Sequence, residues 1–368
     1  MESGDTYPRR ARIRMEMGET HPQNLNYKLQ ITNLTQSMLY PFKFTPQFFH
    51  KLWGGHTIAQ WYDHVPADFE NVGEAWVISD VEKYPTMVAN GPHAGDSLQD
   101  LLEVYMDELV GGKVYEAFGN QFPLLLKFID AVDDLSIQVH PDDEYAIEHE
   151  DSLGKTEMWY VMPSPDHAAI YLGWNKEMDT ARISASIADG TLAEHLQHYE
   201  VREGDVAFIP TGTVHAMCRD TIVAEIQENS DLTYRLYDYN RVGNDGRKRP
   251  LKLAQALDVM SFGSVKEATV THPEPVMNGA VNLKKTPYFT TNLMSLDRPV
   301  QRDYMLLDSF VAFMCVSGSC TVTATDGEAE DNSVSLRLGE AVLIPASLND
   351  IFIEPHDRCK LLEIYVEI

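Results

Sequence analysis

Read for the spacing of its apolar residues, the chain is a succession of short strand-type runs with few helices between them. Phe122–Ile129 (FPLLLKFI) is almost continuously apolar, the pattern of a strand buried on both faces, with Lys127 as the one charge inside it. Val72–Val81, Glu157–Val161, Val206–Ile209 and the Tyr-rich TYRLYDY run also read as strands. In Ser136–His140 the side chains alternate: Ser136, Gln138 and His140 share one face, Ile137 and Val139 the other. A 3.6-type period predicts a helix over Ser97–Tyr115, from Leu98, Leu101, Leu102, Tyr105 and Leu109, with Ser97 as cap and Gly111-Gly112 as its end. Glu177–Ile187, Leu192–Tyr199 and Pro250–Val259 read as shorter helices. After a linker near Gly263 the strand grammar returns in Phe310–Val322 and Ala341–Ile344.

The chemistry-bearing residues gather on these strands. If the Glu157 strand returns beside Ser136–His140, one carboxylate, one imidazole and one amide oxygen converge, a zinc shell lacking one ligand. The stretch EGDVAFIPTGTVHAM places His215 on the next short strand, where it is fit to complete the set. RLGEAVLIP repeats REGDVAFIP, Gly339 matching Gly204 and Ile344-Pro345 matching Ile209-Pro210, but Asp350 stands where His215 would be. The second half therefore reads as a copy without metal ligands, suited to packing, dimerisation or closing one side of a pocket. Lys155 shares a strand face with Glu157, a place for a cation facing a phosphate or a developing oxyanion. Arg235 lies between tyrosines and serves either a cation–π contact or a reacting anion. Arg247, Lys248 and Arg249 form a solvated run or help attract phosphate. His149, His195 and His198 read as surface histidines, Asp142-Asp143 as a turn, and Glu74 as an ordinary solvated or capping carboxylate.

Composition narrows the classes. The 368 residues suffice for two domains and a sizeable core. A formal net charge of −27 argues against nucleic acid as a partner and requires a locally basic pocket for any anionic substrate. The four cysteines form no CxxC pair and read as reduced, buried thiols of a cytoplasmic protein. No apolar run reaches membrane-span length. Residues 1–37 are polar and aperiodic, the signature of a disordered extension.

Taken together, LWGG, FPLLLKFIDAVDDLSIQVHPDD, GKTEMWYV, GDVAFIPTGTVHA and AEIQENSDLTYRLYDYNR, spread in order over residues 40–262, resemble the class I phosphomannose isomerases in their short bacterial form. The resemblance implies a mainly β fold of two cupin-like β-barrel (jelly-roll) domains with inserted helices. The catalytic domain would be 38–263 and the metal-free one 264–368. It implies one Zn2+ held by Gln138, His140, Glu157 and His215, and interconversion of mannose 6-phosphate and fructose 6-phosphate through a cis-enediol. Arg235 matches the family's catalytic arginine, and Glu225, ten positions ahead of it, is the candidate second acid/base or orienting carboxylate; Glu225, Lys155 and a zinc-bound water all stay open as the group that takes the C2 proton. Lys155 and Ser136 become candidate contacts for substrate phosphate or hydroxyls, in a monomer or homodimer. A cupin oxygenase using iron and a sugar-phosphate binding module without turnover are the competing classes. The amide ligand and the Lys/Arg lining count against the first, the complete set of placed site residues against the second.

Overall fold

The computed structural model describes residues 39–65, 71–165, 167–243, 246–327 and 332–368. The predicted disordered extension lies outside them. The fold is mainly antiparallel β, arranged as four stacked sheets. A seven-stranded sheet runs in the order Thr269–Thr271, Val206–Ile209, Glu157–Val161, Thr221–Glu228, Leu124–Ala131, Glu74–Ile78, Gln47–Phe49. Facing it are the five strands Tyr234–Tyr237, Ile137–Val139, His215–Met217, Ala169–Trp174 and Leu196–Glu200. One core fills the space between them, with Ile129, Trp159, Val161, Ala207 and Val223 from the first sheet against Ile170, Leu172 and Met217 from the second. The second half repeats the plan, a seven-stranded sheet facing a four-stranded one across Phe313, Leu361, Val322 and Ile353.

The two long sheets then pack back to back. Leu126, Phe128, Tyr160 and Ile226 meet Phe42, Phe310, Met314 and Leu362 in the largest core, which the helices Leu98–Tyr105 and Gly112–Phe118 also cover. This explains why Leu124–Ala131 and Thr221–Glu228 are buried along their whole length: both faces of the sheet are covered. The halves also exchange strands. Phe42–Thr45 pairs with Ala341–Ile344, and Thr269–Thr271 pairs with Val206–Ile209. Among the described residues no sheet closes on itself, so each expected barrel is a pair of open sheets sealed by side chains rather than by hydrogen bonds.

Three local expectations change. The long helix over Ser97–Tyr115 is three short ones, Leu98–Tyr105, Asp107–Val110 and Gly112–Phe118, broken where Met106 takes a φ of 48° and Gly111 one of 93°. Leu192–Tyr199 is a 3-10 turn, Leu192–His195, followed by the strand Leu196–Glu200; pairing with Ala169–Trp174 overrides the weak helical period. Asp142 caps the helix Asp143–Glu150 by accepting from the Tyr145 amide, so the predicted turn is a helix start.

Candidate metal centre and substrate cleft

Strand alternation turns Ile137 and Val139 outward into a core beneath the helices, leaving Ser136, Gln138 and His140 facing the interior of the sandwich. Register sets Gln138 directly between His215 on one neighbouring strand and Arg235 on the other. Glu157 reaches the same point from the opposite sheet, not from a hairpin with Ser136–His140: the helix Asp143–Glu150 carries the chain across from one sheet to the other. Gln227, paired with Glu157 in register, is fully buried beside it.

His140, Glu157 and His215 are buried, with ligand-type atoms all within 4.8 Å of one another. The Nδ1–H of His140 donates to the Leu232 carbonyl at 2.8 Å, and that of His215 to the Thr213 carbonyl at 2.9 Å. These carbonyls fix the tautomers, so each Nε2 presents a lone pair to the cluster. Those lone pairs face a carboxylate: His215 Nε2 is 3.1 Å from Glu157 Oε1 and His140 Nε2 is 3.5 Å from Oε2. The imidazole lone pairs thus point at carboxylate oxygens, and the Lys155 ammonium stands at the edge of the group, 2.9 Å from Glu157 Oε2 and 3.3 Å from His140 Nε2. A buried arrangement of this kind fits a cation at its centre. Gln138 Nε2 lies 3.3 Å from His215 Nε2, and exchange of the isosteric amide atoms turns its oxygen to the same point.

Electrostatics support the ligand protonation states. Burial, then Lys155, hold the His140 imidazole well below its usual range, hence neutral. Burial opposes ionisation of Glu157, but the positive charge of Lys155 beside it counts the other way, and the carboxyl is held well below the usual carboxylate range.

A cleft opens beside the cluster. Its lining includes Ser136, Gln138, Lys155, Glu225 and Arg235, so the predicted substrate contacts share one cavity with a predicted metal ligand. Across its floor charges alternate. Lys51 is 2.9 Å from Glu74, Lys127 is 3.9 Å from Glu74 and 3.0 Å from Glu225, and Lys155 is 3.8 Å from Glu225 and 2.9 Å from Glu157. Burial, joined by the negative charge of Glu157, pushes the Glu225 carboxyl up to about 7 against the pull of Lys127 and Lys155. Glu74 is not the solvated carboxylate the sequence suggested. It is buried, takes a 2.7 Å hydrogen bond from Trp76 Nε1, and is held at about 2 because Lys51 and Lys127 outweigh its burial. Lys127 turns into the cleft and away from solvent. Arg235 also lines the cleft, with its Nε buried and unpartnered, and among the described residues it stacks on no tyrosine. Phe49, Trp76 and Tyr84 form an aromatic wall, their ring centroids 4.6–5.8 Å apart.

Lys51, Trp76, Tyr84, Asp231 and Thr233 line the cleft without having stood out in the sequence. The sole signal was the position of Lys51 ahead of Trp53-Gly54-Gly55; the rest depended on which strands became neighbours. Trp53 itself is both packed in the core between the sheets and part of the cleft wall. His149 and His198 stay exposed and away from the cluster.

An antiparallel β sandwich with a His–Glu–His cluster at the base of a charged cleft defines a metal-compatible site for a small polar molecule. Residues 41–160 match the family described as phosphomannose isomerase type I, catalytic domain. A mannose-6-phosphate isomerase of Bacillus subtilis is 32% identical, over 87% of this chain and 97% of the relative. That of Streptococcus mutans is also 32% identical, over 84% and 94%. The crystal structure of a Bacillus subtilis mannose 6-phosphate isomerase superposes with a TM-score of 0.72 at 31% identity, covering 89% of this chain and all of the other. The chain belongs to the type I phosphomannose isomerase family.

Proposed function

We propose that this protein interconverts mannose 6-phosphate and fructose 6-phosphate through a cis-enediol, using a zinc ion held by Gln138, His140, Glu157 and His215. The observation that carries the reading is the convergence of His140, Glu157 and His215 on one buried point, with both Nδ1–H groups bound to backbone carbonyls so that both Nε2 atoms face the carboxylate. Zinc, when bound there, supplies Lewis-acid polarisation and has no redox role, which separates this reading from an iron oxygenase.

The chain's own residues divide the remaining work. Arg235 supplies a permanent positive charge for the oxygen that turns anionic as the enediol forms. Glu225 is assigned the proton transfer between C1 and C2. It lines the cleft, one of its oxygens lacks a directed hydrogen bond, and a carboxyl near 7 both takes and returns a proton at neutral pH. Lys127 and Lys155 flank it and fix its position. Ser136 and Lys155 contact substrate hydroxyls or phosphate. The catalytic unit comprises residues 38–263, with 264–368 as its metal-free companion. Four free, buried cysteines suit a cytoplasmic enzyme, and among the described residues no helix is long and apolar enough to cross a membrane.

The test pairs metal analysis with solvent-deuterium exchange into fructose 6-phosphate, before and after chelation. One zinc per chain and exchange that disappears with the metal and returns on its replacement are expected. Isomerisation that proceeds undiminished in metal-free protein would overturn the proposal.

A further inference from the structure

The strand Thr221–Glu228 sends Val223, Glu225 and Gln227 to the interior of the first sandwich, then turns through residues 228–232 into the strand that carries Arg235. In the proposed reaction Glu225 moves a proton and Gln227 has no task. Gln227 is nevertheless fully buried and stands directly opposite Glu157 in the antiparallel ladder, on the same face. A primary amide in such a place destabilises the fold unless its polar atoms are engaged.

The nitrogen end of that amide is engaged twice. Nε2 donates to the Glu228 carbonyl at 3.0 Å and to the Ser230 carbonyl at 2.5 Å. Two carbonyl acceptors settle which end is nitrogen, because exchanging the amide atoms would set oxygen against oxygen. Both bonds hold the turn. Within it the Ser230 amide donates to the Glu228 carbonyl at 2.7 Å, and Ser230 Oγ accepts from the Leu232 amide at 3.3 Å. The Leu232 carbonyl in turn receives the Nδ1–H of His140 at 2.8 Å. A chain of contacts therefore runs from Gln227 through Ser230 and Leu232 to the His140 ring. Leu232 is only partly buried, so an unbraced turn leaves its carbonyl free to rotate toward water. Gln227 is thus joined to two of the three clustered residues, to Glu157 by strand register and to His140 through the turn. Its Oε1 is buried with no hydrogen-bond donor among the described residues.

We propose that Gln227 is a positioning residue of the metal centre: by clamping the 228–232 turn it keeps the Leu232 carbonyl on His140, and so fixes the tautomer and the angle at which His140 Nε2 meets a metal ion. This rests on the zinc site proposed above. An imidazole anchored through Nδ1–H presents Nε2 in one direction. Once released, the ring turns about its side-chain bonds, and metal binding has to re-order it.

The experiment measures zinc affinity of the full-length protein by competition with a chelating dye, together with the visible absorption bands of the cobalt-loaded form, which report ligand geometry. Gln227→Met keeps the length of the side chain and has no N–H. Ser230→Ala removes the hydroxyl that the Leu232 amide binds. Loss of outer support for a ligand is expected to weaken zinc by about 10- to 100-fold in Gln227→Met, with altered cobalt bands. Ser230→Ala weakens it less, and the double variant falls short of the product of the single effects, because both break one chain. Circular dichroism and urea unfolding of the same preparations show which variants are folded and at what cost. Should Gln227→Met not fold, Ser230→Ala decides, a loss of zinc affinity of about threefold or more supporting the assignment. Zinc affinity within about twofold of wild type in the folded variants, whatever their urea midpoints, overturns it, since Gln227 would then serve the turn alone. A wild type that binds no zinc overturns it together with the metal centre. Because affinity is read without turnover, a wild type that binds zinc through a Gln227-dependent site yet fails to isomerise would sink the function and leave the positioning role standing.

Discussion

Replacing Arg235 by alanine separates function from stability more cleanly than any other change in the cleft. Its guanidinium has no ion pair among the described residues, and its Nε is buried without a partner. Burial and the neighbouring Arg249 make its charge a cost to the folded state that Asp238 and Glu74 offset only in part. Removing it orphans no carboxylate. The folding cost is therefore confined to the lost packing of the aliphatic stem, within about 1 kcal/mol. Breaking one of the buried Lys–Glu pairs beside it would cost about 3–5 kcal/mol, because a charge is left behind. The catalytic loss runs the other way. Deleting one preorganised donor aimed at developing negative charge lowers kcat by about 100- to 1000-fold. Initial-rate kinetics, zinc content and denaturant unfolding on the same preparation read all three quantities. A kcat within tenfold of wild type refutes the role. So does a fall in rate matched by loss of zinc or by several kcal/mol of destabilisation, since Arg235 would then be structural.

Three further outcomes follow from the same contacts. His140→Ala or His215→Ala should reduce zinc well below one per chain, and a fully metallated, active double variant would rule out the cluster as the metal centre. Glu74 has a folded-state carboxyl near 2 against an ordinary 4.5, so its contribution is complete above about pH 4.5 and is lost as pH falls through 2. That shift corresponds to roughly 3 kcal/mol, and Glu74→Gln should flatten the acid side of the stability curve by an amount of that order; an unchanged curve between pH 5 and 2 counts against the Lys51–Glu74–Lys127 arrangement. Glu363, fully buried in the second half, accepts from Arg302 Nε at 2.9 Å, Asn292 Nδ2 at 2.8 Å and the Tyr304 hydroxyl. Glu363→Leu should cost about 3–5 kcal/mol in unfolding while zinc content and turnover per folded molecule stay at wild-type values; a selective loss of turnover would show that this half reaches into the chemistry.

The sequence alone determined the strand-rich class, the twofold repetition of the turn–strand–Ile-Pro unit, and a short list of candidate metal and substrate residues. Those features are local. Alternation assigns Gln138 and His140 to one face, and a continuous apolar run such as Leu124–Ala131 announces a doubly covered strand. The tertiary structure decided what depends on neighbours that sequence order does not specify. Glu157 meets His140 and His215 across the gap between two sheets, not through the hairpin inferred from proximity in the chain. Glu74 read as an ordinary solvated or capping carboxylate because its partners Lys51 and Lys127 reach it only once their segments pack side by side. Arg249 sat in what read as a basic loop until Asp238 fixed one edge of its guanidinium. Charge compensation is a property of distances between side chains. Only the packed sheets set those distances, and with them which cations are already satisfied and which remain for a substrate.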